Sequence, residues 1–326
     1  MTFDEFLDEW RGDAGHIEVN TSGSTGTPKS IKLDKEFVKQ SALRTIDFFS
    51  ITNGSTLHSC ISPDFIGGKM TAVRADLAGC KFSWETPSNQ PLKKFSPKDV
   101  IDMVSVVPSQ MLYILDHQQL LPRVKTFLIG GGAISPLLRE RIVQSGLNAF
   151  ESYGMTETAS HIALRKVSCD DPPFNTLPGI TVETDSRGCL AISFSTGERF
   201  MTNDIAQILS PEEFRIKGRI DNVIITGGKK INAEEIESKL SSFIPYPFII
   251  TGIPDEKWGQ KITLLIEAAN NLLCTDIGRS QLIEKMRERL PAWQIPKEIR
   301  FVEKLSRTPN GKLIRSDKAY GKHIRH

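Results

Sequence analysis

The chain has 326 residues, 39% of them hydrophobic and 25% charged, which is the make-up of an ordinary globular protein able to bury a core and form two domains. Forty-one basic and thirty-nine acidic side chains leave +2, with no basic arm or acidic tail, so nothing favours nucleic acid as the main partner. The acidic start MTFDEFLDEW does not read as a signal peptide, no apolar run has the roughly 18–20 residues a membrane span needs, and the five scattered cysteines (Cys60, Cys80, Cys169, Cys189, Cys274) read as reduced thiols of a cytoplasmic protein.

Phe3, Phe6, Leu7 and Trp10 recur at helical spacing, so the chain opens on a short amphipathic helix. The strand-like run 16–20 follows, then a Thr/Ser/Gly/Pro loop over 21–29. A helix begins at Asp34, with Phe37, Val38, Ser41 and Ala42 on one face. The run 57–61 reads as a strand and 67–79 as a helix ending at Gly79. A buried strand over 103–107 precedes Pro108, which opens the next helix, where its missing N–H is harmless. The run 124–130 is a strand leading into Gly130-Gly131-Gly132; Ser135-Pro136 caps a helix to about Gln144, and 149–154 returns as a strand. Strands alternating with helices predict a mostly parallel sheet covered on both faces.

After about residue 178 the pattern changes to short β segments. A second α/β unit is expected after Arg219, with a Gly-Gly turn and a helix from Asn232, where Glu235 three residues on suggests a capping box. The expected fold class is therefore α/β: a large N-terminal domain over 1–220 with a mostly parallel sheet plus a β-rich subregion, and a small α/β domain over 221–326.

Four segments carry chemistry. In Thr21-Ser22-Gly23-Ser24-Thr25-Gly26-Thr27-Pro28-Lys29, glycines free backbone N–H groups to close on an anion, hydroxyls add donors and Lys29 a positive charge. It is not the Walker pattern; a Ser/Gly linker is disfavoured because the stretch sits between two strand-like runs. Gly131, Gly132 and Ala133 after a strand allow a planar ring close to the backbone, where open sheets bind ligands. In the run Tyr153-Gly154-Met155-Thr156-Glu157, Tyr153 could stack on that ring, Thr156 donate to a phosphate and Glu157 hold a hard cation. Asp204 could accept from ribose hydroxyls or merely cap a turn. Pro309-Asn310-Gly311 would present Lys312 on a loop tip, which taken alone is an ordinary surface lysine.

Together and in this order, these segments resemble the superfamily of adenylate-forming enzymes, which includes acyl-CoA synthetases, the adenylation domains of peptide synthetases and beetle luciferases. The resemblance runs from about residue 17 to residue 315. It implies that Thr21, Ser22, Ser24, Thr25 and Lys29 hold the β- and γ-phosphates of ATP, that Gly131, Gly132, Ala133 and Tyr153 bind adenine, and that Asp204 and Arg219 hold the ribose. Thr156 would contact the α-phosphate and Glu157 the Mg²⁺. Asp221 would be the hinge and Lys312 the mobile lysine of adenylation, CoA being the co-substrate of a second step.

Residues 62–74 and 156–165 resemble the bacterial 2-succinylbenzoate–CoA ligases of menaquinone biosynthesis. Their substrate keeps a second carboxylate that is not activated, and an unpaired buried carboxylate is costly. The resemblance points to Arg74 as its partner. Lys69, His161 and Arg165 are further candidates, and Gly67, Gly68 and Ser160 are expected to shape the ring's site. A ligase for another aryl or short acyl acid and a non-catalytic nucleotide-binding relative remain open. An adenylation domain of a peptide synthetase fits less well, because only Asp64 could greet an α-amino group. Longer members carry about 150 more residues before the phosphate loop. Part of the usual large domain is therefore expected to be missing, although the opening helix favours a native start. The missing pocket wall would come from elsewhere, a second subunit in a homo-oligomer being one source.

Overall fold

The computed structural model describes residues 1–20, 30–267, 276–307 and 313–315. Helix α1 (Phe3–Arg11) begins at a closed capping box: the Thr2 hydroxyl accepts from the Glu5 amide at 3.2 Å, and the Glu5 carboxylate accepts from the Thr2 amide at 2.7 Å. Two otherwise orphaned N–H groups are thereby satisfied. Phe3 and Phe6 are buried against Val19, Val38 and Val73, a burial that contributes about 1.5–3 kcal/mol per side chain. Strands β1 (His16–Asn20) and β2 (Ser30–Asp34) pair antiparallel, and segment 21–29 between them lies outside the described residues. Asp34 caps α2 (Lys35–Phe49), its Oδ1 accepting from the Glu36 and Phe37 amides at 2.9 and 3.1 Å.

The parallel part of the main sheet is built from β3 (Thr56–Ser59), β4 (Lys81–Trp84), β5 (Val100–Val106), β6 (Arg123–Ile129) and β7 (Ala149–Met155), in the spatial order β4-β3-β5-β6-β7. The crossovers are α3 (Ile66–Ala78), α4 (Pro108–Asp116, with proline in its first turn) and α5 (Pro136–Gln144), where the Ser135 hydroxyl accepts from the Leu138 amide. Side chains alternate between two cores, as the period of a strand requires. Phe127 and Ile129 join Met111, Ile114, Leu138 and Ile142 on the α4–α5 side. Leu128 instead joins Leu57 and Ala75 on the α2–α3 side.

Strand β7 turns back into β8 (Ser160–Lys166), and from there the sheet continues antiparallel through β9 (Phe174–Thr176), β13 (Glu213–Arg219), β12 (Arg199–Ser210), β11 (Cys189–Phe194) and β10 (Ile180–Thr184). The β-rich subregion is thus joined edge to edge with the parallel part in one mixed sheet of eleven strands.

Beyond a 3-10 turn at Ile220–Asn222, a second sheet of five strands forms from β14 (Val223–Thr226), β15 (Lys229–Asn232), β16 (Phe248–Asp255), β17 (Gly259–Glu267) and β18 (Glu298–Val302). With α6 (Ala233–Leu240) and α7 (Asp276–Arg289) it encloses its own core, including Ile224, Ile236, Leu264 and Met286. Gly227 and Gly228 make the two-residue β14–β15 turn at φ 53 and 76, as a primed hairpin turn demands. Asn232 does cap α6, but the capping box is not closed. Its Oδ1 accepts from the Glu234 amide, its Nδ2 donates to the Lys217 carbonyl at 2.7 Å, and Glu235 pairs with Lys239 at 2.8 Å. A lysine one turn along the helix competes for the carboxylate that the box needed. No helix among the described residues is long and apolar enough to cross a membrane.

Candidate active site

The glycine turn sits at the carboxyl ends of the parallel strands. A side chain at Gly130 would come within 2.7 Å of Ser152 Oγ, and Gly131 has φ 79, a left-handed conformation that favours glycine. Buried Glu151 holds the turn from beneath. Its carboxylate accepts from the Ile134 amide at 3.0 Å, Arg139 Nη2 at 3.0 Å and Arg165 Nε at 2.8 Å. Gly131, Gly132 and Ala133 remain exposed above this anchor and open to a planar ring.

Tyr153, Asp204, Arg219 and Asp221 are one hydrogen-bonded chain. The Tyr153 hydroxyl donates to Asp204 Oδ2 at 2.6 Å, and Arg219 donates to Asp204 Oδ1 at 2.9 Å and to Asp221 Oδ2 at 2.6 Å. Burial, then the Asp204 carboxylate, push the Tyr153 phenol well above its ordinary value, so the phenol stays a donor. Burial works against the Arg219 charge, but Asp221 and Asp204 outweigh it and raise its pKa. Asp204 pairs with Arg219 across β12 and β13, so it does not cap a turn. A carboxylate offers about four lone-pair sites, which leaves Asp204 able to accept from sugar hydroxyls as well. Asn203 adds to the chain, donating to Asp221 at 3.2 Å, and Arg187 in turn donates to Asn203 at 3.0 Å. Neither residue is singled out in the sequence: Asn203 directly precedes Asp204, and Arg187 carries no sequence signal.

The β7–β8 hairpin carries Thr156 and Glu157. At Gly154 the two strands come so close that a Cβ would lie 2.1 Å from the Ser160 carbonyl oxygen. The Thr158 hydroxyl closes the turn on the Met155 and Ser160 carbonyls at 3.0 and 2.8 Å. Ala159 and Ser160 take φ 51 and 89, strained values for residues with a side chain. Thr156 is buried, while Glu157 is half-buried and takes part in no hydrogen bond or ion pair among the described residues.

On the other side of this hairpin lies Arg74, 1% exposed. Its Nη2 is 3.5 Å from His161 Nδ1, and His161 Nε2 is 3.0 Å from Thr45 Oγ1. Among the described residues Arg74 has no carboxylate partner, and its Nε has no hydrogen bond. Burial pushes the guanidinium down, to about 9. Gly67 stands seven residues before Arg74, nearly the same helical direction. At Gly68 a Cβ would lie 2.2 Å from the Ser62 carbonyl oxygen, so only glycine lets α3 start there.

Two of the expected pocket cations go elsewhere. Lys69 is buried, but against α1: its Nζ lies 4.2 Å over the Phe6 ring, 3.8 Å from Glu9 and 3.0 Å from Met1 Sδ. Five residues from Arg74 on the same helix, it points about 140° away. Arg165 is spent on Glu151 and Asp171, each at 2.8 Å, and lies over the Phe174 ring. The expected phosphate-loop residues Thr21, Ser22, Gly23, Ser24, Thr25, Gly26 and Lys29, and Lys312, lie outside the described residues.

An exposed turn at the carboxyl ends of parallel strands is where open α/β sheets take ligands, and here it borders a carboxylate–guanidinium chain suited to a sugar. This is the class of nucleotide-using α/β enzymes. Residues 19–184 match the AMP-binding enzyme family and residues 248–312 its C-terminal domain. The chain belongs to that family, the adenylate-forming acid–CoA ligases. It is 27% identical over 339 residues to the 2-succinylbenzoate–CoA ligase of Listeria monocytogenes serovar 1/2a, covering 96% of this chain and 71% of that protein. An acyl-CoA synthetase (AMP-forming)/AMP-acid ligase II-like protein from Dyadobacter fermentans is 31% identical with a TM-score of 0.62, covering 98% of this chain and 92% of that one. The fold is also that of o-succinylbenzoate CoA synthetase (MenE) from Bacillus subtilis in complex with its acyl-adenylate intermediate, at 20% identity and a TM-score of 0.80 over 95% of this chain and 70% of that one.

Proposed function

We propose that this ligase activates 2-succinylbenzoate with ATP and passes the acyl group to CoA. The carrying observation is Arg74: a buried guanidinium without a carboxylate partner among the described residues. Burying an uncompensated charge is strongly unfavourable, and a substrate carboxylate would relieve it. The names of the Listeria relative and the Bacillus structure support the same acid.

In this reading the acid's side-chain carboxylate attacks the α-phosphorus of ATP. An oxygen–phosphorus bond forms, the bond to the β-phosphate oxygen breaks, and pyrophosphate leaves with the electron pair. Two anions meet in that step, so rate depends on placed donors and cations. Thr156 donates to the α-phosphate. Glu157, a carboxylate without a partner among the described residues, suits a hard cation such as Mg²⁺, which would supply charge neutralisation at the phosphates. Asp204 and Arg219 hold the ribose, and Tyr153 lies against adenine. The roles of Lys312 and the 21–29 loop rest on the resemblance.

The CoA sulfur then attacks the acyl carbon, AMP departs, and the thiol proton goes to solvent. For this step we assign residues 1–220 and 221–326 to two domains turning about Asp221, which lies in the 3-10 turn between β13 and β14. Such a hinge would withdraw Lys312 and admit CoA. The four described cysteines are free thiols, which supports a cytoplasmic setting.

The test is pyrophosphate release with 2-succinylbenzoate, benzoate and a short fatty acid, followed by CoA addition and mass analysis. Selective turnover of the dicarboxylate and appearance of its thioester are expected. Turnover of the monocarboxylates alone would discard the substrate assignment and keep the reaction class; no turnover with any acid would favour a non-catalytic relative.

A further inference from the structure

Three side chains of metal-ligating type outside the adenylate site converge at the carboxyl ends of the edge strand β4 and its neighbour β3 in the main sheet. His58 belongs to β3, Cys60 stands just past it and Glu85 just past β4, and their ligand-type atoms all lie within 4.8 Å of one another. His58 is 0% and Cys60 1% exposed. His58 Nε2 faces Glu85 Oε1 at 3.9 Å and is buried without a hydrogen-bond partner. A buried polar atom left unpaired is costly and calls for an explanation.

The surroundings hold each donor in place. Ser83 Oγ contacts His58 Nδ1 at 2.8 Å, which leaves Nε2 as the atom facing the cluster. The Leu92 amide donates to Glu85 Oε1 at 2.8 Å, and Leu92 takes φ 65, a strained value for a leucine. The edge of the His58 ring meets Phe95, with centroids 4.8 Å apart. Supporting contacts of this kind orient the ligands of metal sites.

We propose that His58 Nε2, Cys60 Sγ and Glu85 form a binding site for zinc or a similar borderline-soft divalent ion, clamping β3, β4 and the 85–97 turn together. Imidazole, thiolate and carboxylate with a fourth position for water are a zinc donor set, whereas Mg²⁺ prefers oxygen. Bond lengths of about 2.0 Å to nitrogen and oxygen and about 2.3 Å to sulfur put tetrahedral ligands roughly 3.3–3.6 Å apart. The donors therefore need to close by at most about 1.5 Å. Binding releases the Cys60 thiol proton to solvent. The divalent ion, thiolate and carboxylate then sum to zero charge, as a buried site requires. Without metal, burial and the neighbouring Glu85 hold the Cys60 thiol well above its ordinary value.

The experiment titrates the full-length, chelator-treated protein with Co²⁺ and then Zn²⁺, reading the thiolate-to-cobalt charge-transfer band and the melting temperature. One equivalent of Co²⁺ should produce the band, Zn²⁺ should abolish it, and both ions should raise Tm. Cys60→Ser and His58→Gln should lose the band, and Cys169→Ser should keep it. Circular dichroism checks that the variants fold. Ser83→Ala, which leaves all three ligands in place, should keep the band and weaken zinc about 10–100-fold, so it decides the matter should either ligand variant fail to fold. No band in the wild-type protein, a band that survives in Cys60→Ser, or unchanged zinc affinity in Ser83→Ala would overturn the site.

Discussion

Arg74 has no acceptor atom, so His161 Nδ1 must accept from it; Nε2 therefore carries the ring proton and donates to Thr45 Oγ1. The Thr45 hydroxyl in turn donates a hydrogen bond to the Ser41 carbonyl at 3.3 Å. The imidazole is neutral, because burial, then the Arg74 charge, lower its pKa well below 6.5. In the unfolded chain the same ring takes up a proton near its ordinary value. The stability this contributes is therefore complete above pH about 6.5 and is lost as pH falls toward the folded-state value. Thermal midpoints should decline below pH about 6.5, and His161→Gln should flatten that part of the profile. An unchanged slope would mean that another group carries it. In the proposed reading, Arg74→Ala removes the charge that meets the substrate's free carboxylate. It should lower kcat/KM for 2-succinylbenzoate by about 10²-fold, chiefly through KM, the cost of leaving one member of a buried charge pair alone. Benzoate kinetics should move much less, and pyrophosphate assays on both acids read the difference.

Among the elements, the β7–β8 hairpin is the most constrained. Its turn is tight, two of its residues take φ 51 and 89, and Gly154 meets the opposite backbone directly. Gly154→Ala should cost roughly 3 kcal/mol, the upper end of the overpacking penalty, because the clash is with backbone and no side chain can yield. Denaturant unfolding measures this, and a loss under about 1 kcal/mol would show that the strands separate easily. Helix starts behave differently. Asp34 and Ser135 are caps readable from the chain, since a cap bonds only two or three residues ahead. The expected box at Asn232 failed for a reason as local as its signal: Lys239 takes Glu235, and Asn232 reaches back to Lys217.

For the molecule as a whole, what matters is the passage from one sheet to the other. Asp221 sits in that passage, bonded to Arg219 and Asn203 of the adjacent ribose-type chain. Asp221→Pro fixes one backbone dihedral there. Transfer to CoA should slow about tenfold, a barrier increase of about 1.4 kcal/mol, with pyrophosphate release little changed. Lys312→Ala should do the reverse, slowing adenylation about 10²–10³-fold and sparing transfer from a supplied adenylate. Quench-flow measurement of the two half-reactions separates these outcomes; equal slowing of both by Asp221→Pro would remove the hinge.

The sequence by itself determined the order of strands and helices, the caps, the Gly-Gly hairpin and the family, because periodicity, capping and motif chemistry all act within a few residues. The family resemblance also gave the expectation that Tyr153, Asp204 and Arg219 share one nucleotide. Only the tertiary structure decided that Tyr153 bonds Asp204, 51 residues away, and that the β-rich part extends the parallel sheet. Packing alone also separated the three pocket cations. Arg74 meets His161, 87 residues distant, while Lys69 turns to α1 and Arg165 to Glu151. A charge's fate depends on which carboxylate or ring the fold brings beside it, and that neighbour is rarely near in the chain.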